Sequence, residues 1–168
     1  MAMNWRRLAL AAVALWASGM GRPHADDAAG RFIEAAYSSA VFQDRISRIA
    51  AAKDTRPGVK ALAERVRDFR ASQLPELARL AGVTGVEVRD TLDLELRSIV
   101  ENIEPLDYLA LSRRYAEVEV QAIGREIAVY EGAAQSDAQP IRDYIAATLG
   151  RLRDLEAGAK LELSAVAP

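Results

Sequence analysis

The chain has 168 residues, 51% of them hydrophobic and 27% charged, with 10 glycines and 6 prolines. That is the composition of one globular domain with a buried core, and it excludes disordered and collagen-like chains. Cysteine is absent, which excludes disulfides, thiolate zinc sites and a cysteine nucleophile.

The first segment reads as an export signal. Arg6 and Arg7 precede an apolar run, Leu8 to Trp16, the layout of a basic n-region followed by a short h-region. The run is too short to span a bilayer, which takes about 20 apolar residues. Cleavage is expected after Ala25, ahead of Asp26 and Asp27, with Gly19 and Gly21 as alternative sites. The competing readings of the same segment are an uncleaved membrane anchor and a buried amphipathic helix. The expected organisation is a signal peptide over 1–25, a single domain over 26–168, and a periplasmic location.

Removal of the leader changes the inventory. It takes Arg6, Arg7 and Arg22 from the 22 basic residues and none of the 24 acidic ones, so the remaining chain carries about −5. An acidic surface of this kind repels nucleic acid and anionic headgroups, so neither is expected as a partner. Both tryptophans, all three methionines and the single histidine, His24, also leave. Packing alone must then hold the exported fold.

Periodicity predicts four long helices. The first runs from Asp26 or Asp27 to about Ala52, with Phe32, Ala36, Ser39, Ile46 and Ile49 inward. The second runs from Pro57 to about Ala81 and stops at Gly82, with Val59, Leu62, Val66, Phe69, Leu77 and Leu80 at three and four spacing. Pro75 lies inside that pattern and is expected to kink or break it. A turn at 82–85 leads to a shorter helix over Leu92 to Val100, started near Asp90 or Thr91.

The third long helix, opened by Pro105, places Leu109, Ala116, Val120, Ile123, Ile127, Tyr130 and Ala134 on one stripe. A second row follows at Leu111, Tyr115, Val118 and Ala122, so the buried face is broad. The fourth runs from Pro140 to about Leu161 through Ile141, Ile145, Thr148, Leu152, Leu155 and Ala159. Short links favour antiparallel neighbours, so helices one and two form one hairpin and three and four another. A single long crossover between the hairpins is the connectivity of ferritin-like bundles.

Several stretches carry a family resemblance. They are Phe32-Ile33-Glu34-Ala35-Ala36, Pro57-Gly58-Val59-Lys60-Ala61-Leu62-Ala63 and Arg65-Val66-Arg67-Asp68. Further along come Leu111-Ser112-Arg113-Arg114-Tyr115, Tyr130-Glu131 and Gln139-Pro140. In this order and spacing the run from Phe32 to about Leu161 resembles the domain of unknown function 4142 family. The resemblance implies an exported bacterial protein with a ferritin-like helical bundle. It also implies histidines on helices two, three and four with acids close by; the corresponding positions here are Arg70, Ile123 and Leu155, with Gln43 at a polar position of helix one.

Chemistry is otherwise sparse. A di-metal carboxylate site takes about four acids plus Glu-x-x-His pairs projecting inward, and the acids near the seam, Asp68, Glu117, Glu119 and Glu156, read as exposed helix faces. The serines lack a histidine base, which excludes a Ser-His-Asp arrangement. Gly82, Gly85 and Gly132 lack phosphate-loop spacing. Arg70 lies on the edge of the helix-two stripe. It is expected either to snorkel to solvent along its alkyl stem or to enter the seam and pair with an acid such as Glu119. Tyr37, Tyr108, Tyr115, Tyr130 and Tyr144 either cap the core with hydroxyls at water or line an aromatic pocket.

The expectation is an all-α, four-helix ferritin-like bundle with one long crossover containing a short extra helix. It acts as a non-catalytic binding or interaction module, with no catalytic, cofactor-binding or metal residues, no cofactor, and an unidentified protein or small ligand as partner. Membrane contact is expected only through an uncleaved signal. The alternative is a ferritin-like metal or redox protein using inward carboxylates, and a third reading, an apolar-ligand store, requires a seam cavity of roughly 300 Å³ or more.

Overall fold

The computed structural model describes the backbone of residues 23–167 and the side chains of residues 28–167. The expected signal peptide lies almost wholly outside these residues. Five helices follow in order: α1 (Pro23–Ala52), α2 (Pro57–Thr84), α3 (Leu94–Ile103), α4 (Tyr108–Ala133) and α5 (Gln139–Val166), with no strand among the described residues. None of these helices is long and apolar enough to cross a membrane.

The four long helices form an all-helical bundle. α1 packs against α2 and α4, and α5 against α4 and α2, so each long helix has two principal neighbours. Short segments, 53–56 and 134–138, join α1 to α2 and α4 to α5, while residues 85–107 carry the chain from α2 to α4 and hold α3. The core is what three-and-four spacing demands: Ile33, Ile46, Leu62, Leu77, Leu111, Ile123 and Ile141 are fully buried. All six expected core residues of the second helix and all six of the last are buried. On α4, Leu109 is instead 52% exposed, because it falls in the first turn, ahead of the packed stripe.

Helix ends are set by local chemistry. α2 does not stop at Gly82; it continues to Thr84 and ends at Gly85, whose φ of 72° is the left-handed conformation that glycine alone adopts at no steric cost. Gly85 N–H bonds the Ala81 carbonyl, and the Thr84 hydroxyl donates to the Leu80 carbonyl at 2.9 Å. α2 also continues through Pro75 without a break. A helical proline frees the carbonyl four residues back, and here that carbonyl belongs to Ala71, an exposed residue that water can reach. The short helix starts later than Asp90 or Thr91, because Asp93 is the residue whose carboxylate accepts from Leu96 N–H, at 2.8 Å.

Pro105 does not open α4, which begins at Tyr108; the link ahead of it is stitched to the first hairpin instead. Lys53 Nζ donates to the carbonyls of Glu104 and Leu106, Tyr108 N–H to the Asp54 carbonyl at 3.0 Å, and Arg56 N–H to Ser112 Oγ at 2.9 Å. Tyr108 has a φ of 42°, a conformation costly for a side chain of its size, and this set of bonds holds it there.

Candidate functional site

The most unusual feature of the core is a polar layer across α1, α2 and α4. Gln43, Arg70, Gln73, Glu119 and Glu126 are each at least 96% buried, whereas charged side chains are almost never fully buried unless paired. Arg70 on α2 meets Glu126 on α4 as a two-pronged ion pair, Nη1 to Oε1 at 2.9 Å and Nη2 to Oε2 at 2.8 Å. The planar guanidinium matches the carboxylate, the geometry that gives arginine its strongest pairs.

Neutral amides and hydroxyls close the layer. Arg70 also donates to the side-chain carbonyls of Gln43 and Gln73. Gln43 Nε2 donates to Glu126 Oε2 at 2.8 Å and to Ser39 Oγ at 2.8 Å, and Ser39 Oγ donates to the same carboxylate oxygen at 3.0 Å. Gln73 Nε2 donates to the Tyr130 hydroxyl at 2.9 Å, which is hydrogen-bonded in turn to the Tyr144 hydroxyl at 3.2 Å. Phe32 packs edge-on against Tyr130, with ring centroids 5.0 Å apart.

A second acid lies two turns before Glu126 on α4. Glu119 Oε1 accepts from Ser47 Oγ at 3.2 Å, and Ser47 and Tyr115 share a hydrogen bond of 2.9 Å. Burial pushes the Glu119 carboxyl up to about 7, against the lowering pull of the Arg70 charge and of hydrogen bonds from Ser47 and Tyr115. Burial, together with the Glu119 charge, raises the Tyr115 phenol well above its usual value. Two atoms of the layer lack a partner among the described residues, Arg70 Nε and Glu119 Oε2.

These contacts revise three expectations. Of the two readings of Arg70, the structure takes the second: the side chain does not snorkel but is wholly buried and enters the seam, where the acid it pairs with is Glu126 and not Glu119. Glu119 is not on an exposed face but in the core, while Asp68 is exposed and Glu117 and Glu156 are half-buried. The tyrosines divide: Tyr115, Tyr130 and Tyr144 are buried with hydroxyls in the polar network and not at water, Tyr37 donates to Asp90 Oδ1 at 2.6 Å near the surface, and Tyr108 is exposed. Of the four positions aligned with the family's polar residues, Gln43 and Arg70 touch each other; Ile123 and Leu155 are plain core.

The donor set does not suit a metal ion. Among the described residues no three of His, Cys, Asp and Glu converge. Both Glu126 oxygens are committed to Arg70, Gln43 and Ser39, and a fixed guanidinium repels a cation at the place where a ligand would be needed. Only one carboxylate oxygen of the layer, Glu119 Oε2, is without a partner, short of the several oxygens a hard cation takes.

The layer was hidden by residue type, yet spacing held a signal. Glu119 and Glu126 are one heptad apart and fall on the α4 row of Tyr115, Ile123 and Tyr130; Arg70 and Gln73 continue the α2 row of Leu62 and Val66; Gln43 and Ser47 lie on the α1 row of Ala36 and Ala40. Polar residues in register on three apolar rows point to a shared internal layer.

An all-helical bundle with a polar layer at its centre is the class defined by this architecture. The chain belongs to the family described as Domain of unknown function (DUF4142), whose model matches residues 17–160. No curated protein and no solved structure matches the chain.

Proposed function

We propose that the chain is an exported, ferritin-like four-helix module that works by binding and not by catalysis. The observation that carries this reading is the closure of the Arg70–Glu126 centre. Its oxygens and amides are spent on one another inside the core, so they hold helices in register and leave no nucleophile or open coordination position. A buried ion pair of this kind fixes geometry without adding much net stability. The basic and apolar start of the chain supports export, and the family membership supports the bundle.

Osmotic-shock fractionation of the producing bacterium, with mass analysis and metal quantification of the released chain, tests both halves of the proposal. The expected result is a periplasmic protein starting at Asp26 and carrying well under one metal ion per chain. An uncleaved, cytoplasmic chain overturns the export half, and stoichiometric iron or manganese overturns the other.

A further inference from the structure

A half-enclosed cavity of about 230 Å³ lies between α1, α3 and α4, beside the polar layer, whose Ser39 and Glu126 form part of its lining; it is smaller than the roughly 300 Å³ expected of a store for a purely apolar ligand. Its apolar wall is built from Ala36 and Phe42 of α1, Leu96 and Ile99 of α3, and Val118 and Ala122 of α4. The α4 side of the lining extends from Arg114 to Val129, about 22 Å at 1.5 Å per residue. With Leu96 and Ile99 of α3 along one side, the cavity is a trough elongated along α4, a shape that admits an unbranched chain more readily than a ring. A cavity of about 150 Å³ holds the six carbons of benzene, and in the same proportion this one suits about nine heavy atoms.

The polar lining sets the sign of the ligand. Ser38, Gln121 and Arg125 line the cavity, and their side chains make no hydrogen bond or ion pair among the described residues. Arg114 is held by Glu117 at 3.6 Å. The single acid in the lining, Glu126, is neutralised by Arg70 behind it. The trough therefore presents a positive charge, with hydroxyl and amide donors, beside an apolar slot.

We infer that this trough binds a free, unbranched medium-chain monocarboxylate of about eight carbons, its tail under Leu96 and Ile99 and its carboxylate at Arg125. The inference rests on the binding reading above and names the ligand class for it. Pairing with an exposed arginine contributes little in water, so burial of the alkyl chain provides most of the affinity and the charge selects the head group.

The test is an NMR titration of the ¹⁵N-labelled chain with octanoate and, separately, octanol. Octanoate is expected to shift amides of residues 35–42 and 118–129 saturably at submillimolar concentration, and to bind more tightly than octanol. Arg125→Glu, at an exposed position, should weaken octanoate about tenfold or more while changing octanol less than about twofold. Ala122→Phe should abolish both, with circular dichroism confirming the fold. Absence of saturable shifts, equal octanoate affinity in the wild type and Arg125→Glu, or shifts produced by anionic phospholipid vesicles but not by free octanoate overturns the inference. A metal-free, exported chain that ignores octanoate overturns the ligand assignment alone and leaves the binding reading standing.

Discussion

Glu119 shows at the level of one residue what burial does to a charge. Its folded-state carboxyl is pushed up to about 7 from an ordinary value of 4.5, so between those values the folded chain holds a proton that the unfolded chain releases. Stability from this group is therefore fully present below about pH 4.5 and is lost as pH rises toward 7. The groups facing it are Ser47 of α1, Arg70 of α2, and Tyr115 and Glu126 of α4. Glu119→Gln removes the titrating proton and keeps the shape. Urea unfolding at pH 5, 6, 7 and 8 should show the variant gaining on the wild type across this range, by an amount that levels off above about pH 7. A difference that stays flat with pH would mean that Glu119 ionises normally and is not confined in the core.

The elements show which sequence signals carry weight. α2 and α5 follow their apolar rows closely, because their faces are buried against two neighbours and each third or fourth residue must be apolar. Helix ends were harder to place, since Gly82 and Gly85 are both plausible stops and only the second needs a positive φ. The polar layer was less legible still: Arg70 and Glu126 are 56 positions apart, and the local sign of their burial is only that each falls on an apolar row of its helix. The proposed ligand rests on cavity shape and charge, which apolar periodicity does not encode. α3 shows a local signal that decides an element, because it rests on α1 and α4 by a thin apolar face and depends on the Asp93 cap. Asp93→Ala should cost about 1 kcal/mol of helix stability. Hydrogen exchange at the Leu96 to Val100 amides should then speed up about fivefold while α2 is unchanged; equal exchange in both proteins would show that packing alone holds α3.

At the scale of the molecule, four amphipathic helices hide their apolar rows, and a charge pair at the centre limits how those rows can slide past one another. An apolar core tolerates register shifts of one turn, since leucine packs against leucine in either register. Arg70 tolerates none, because a shift separates two buried charges. Breaking one side of such a pair costs about 3–5 kcal/mol, while replacing both sides by apolar residues is often nearly neutral. A double-mutant cycle on Arg70→Met and Glu126→Leu, read by urea unfolding at pH 7, tests this most directly. Each single variant should be strongly destabilised, and the double variant should recover most of that loss. Losses that simply add, within about 0.5 kcal/mol, would contradict the paired centre on which the account rests.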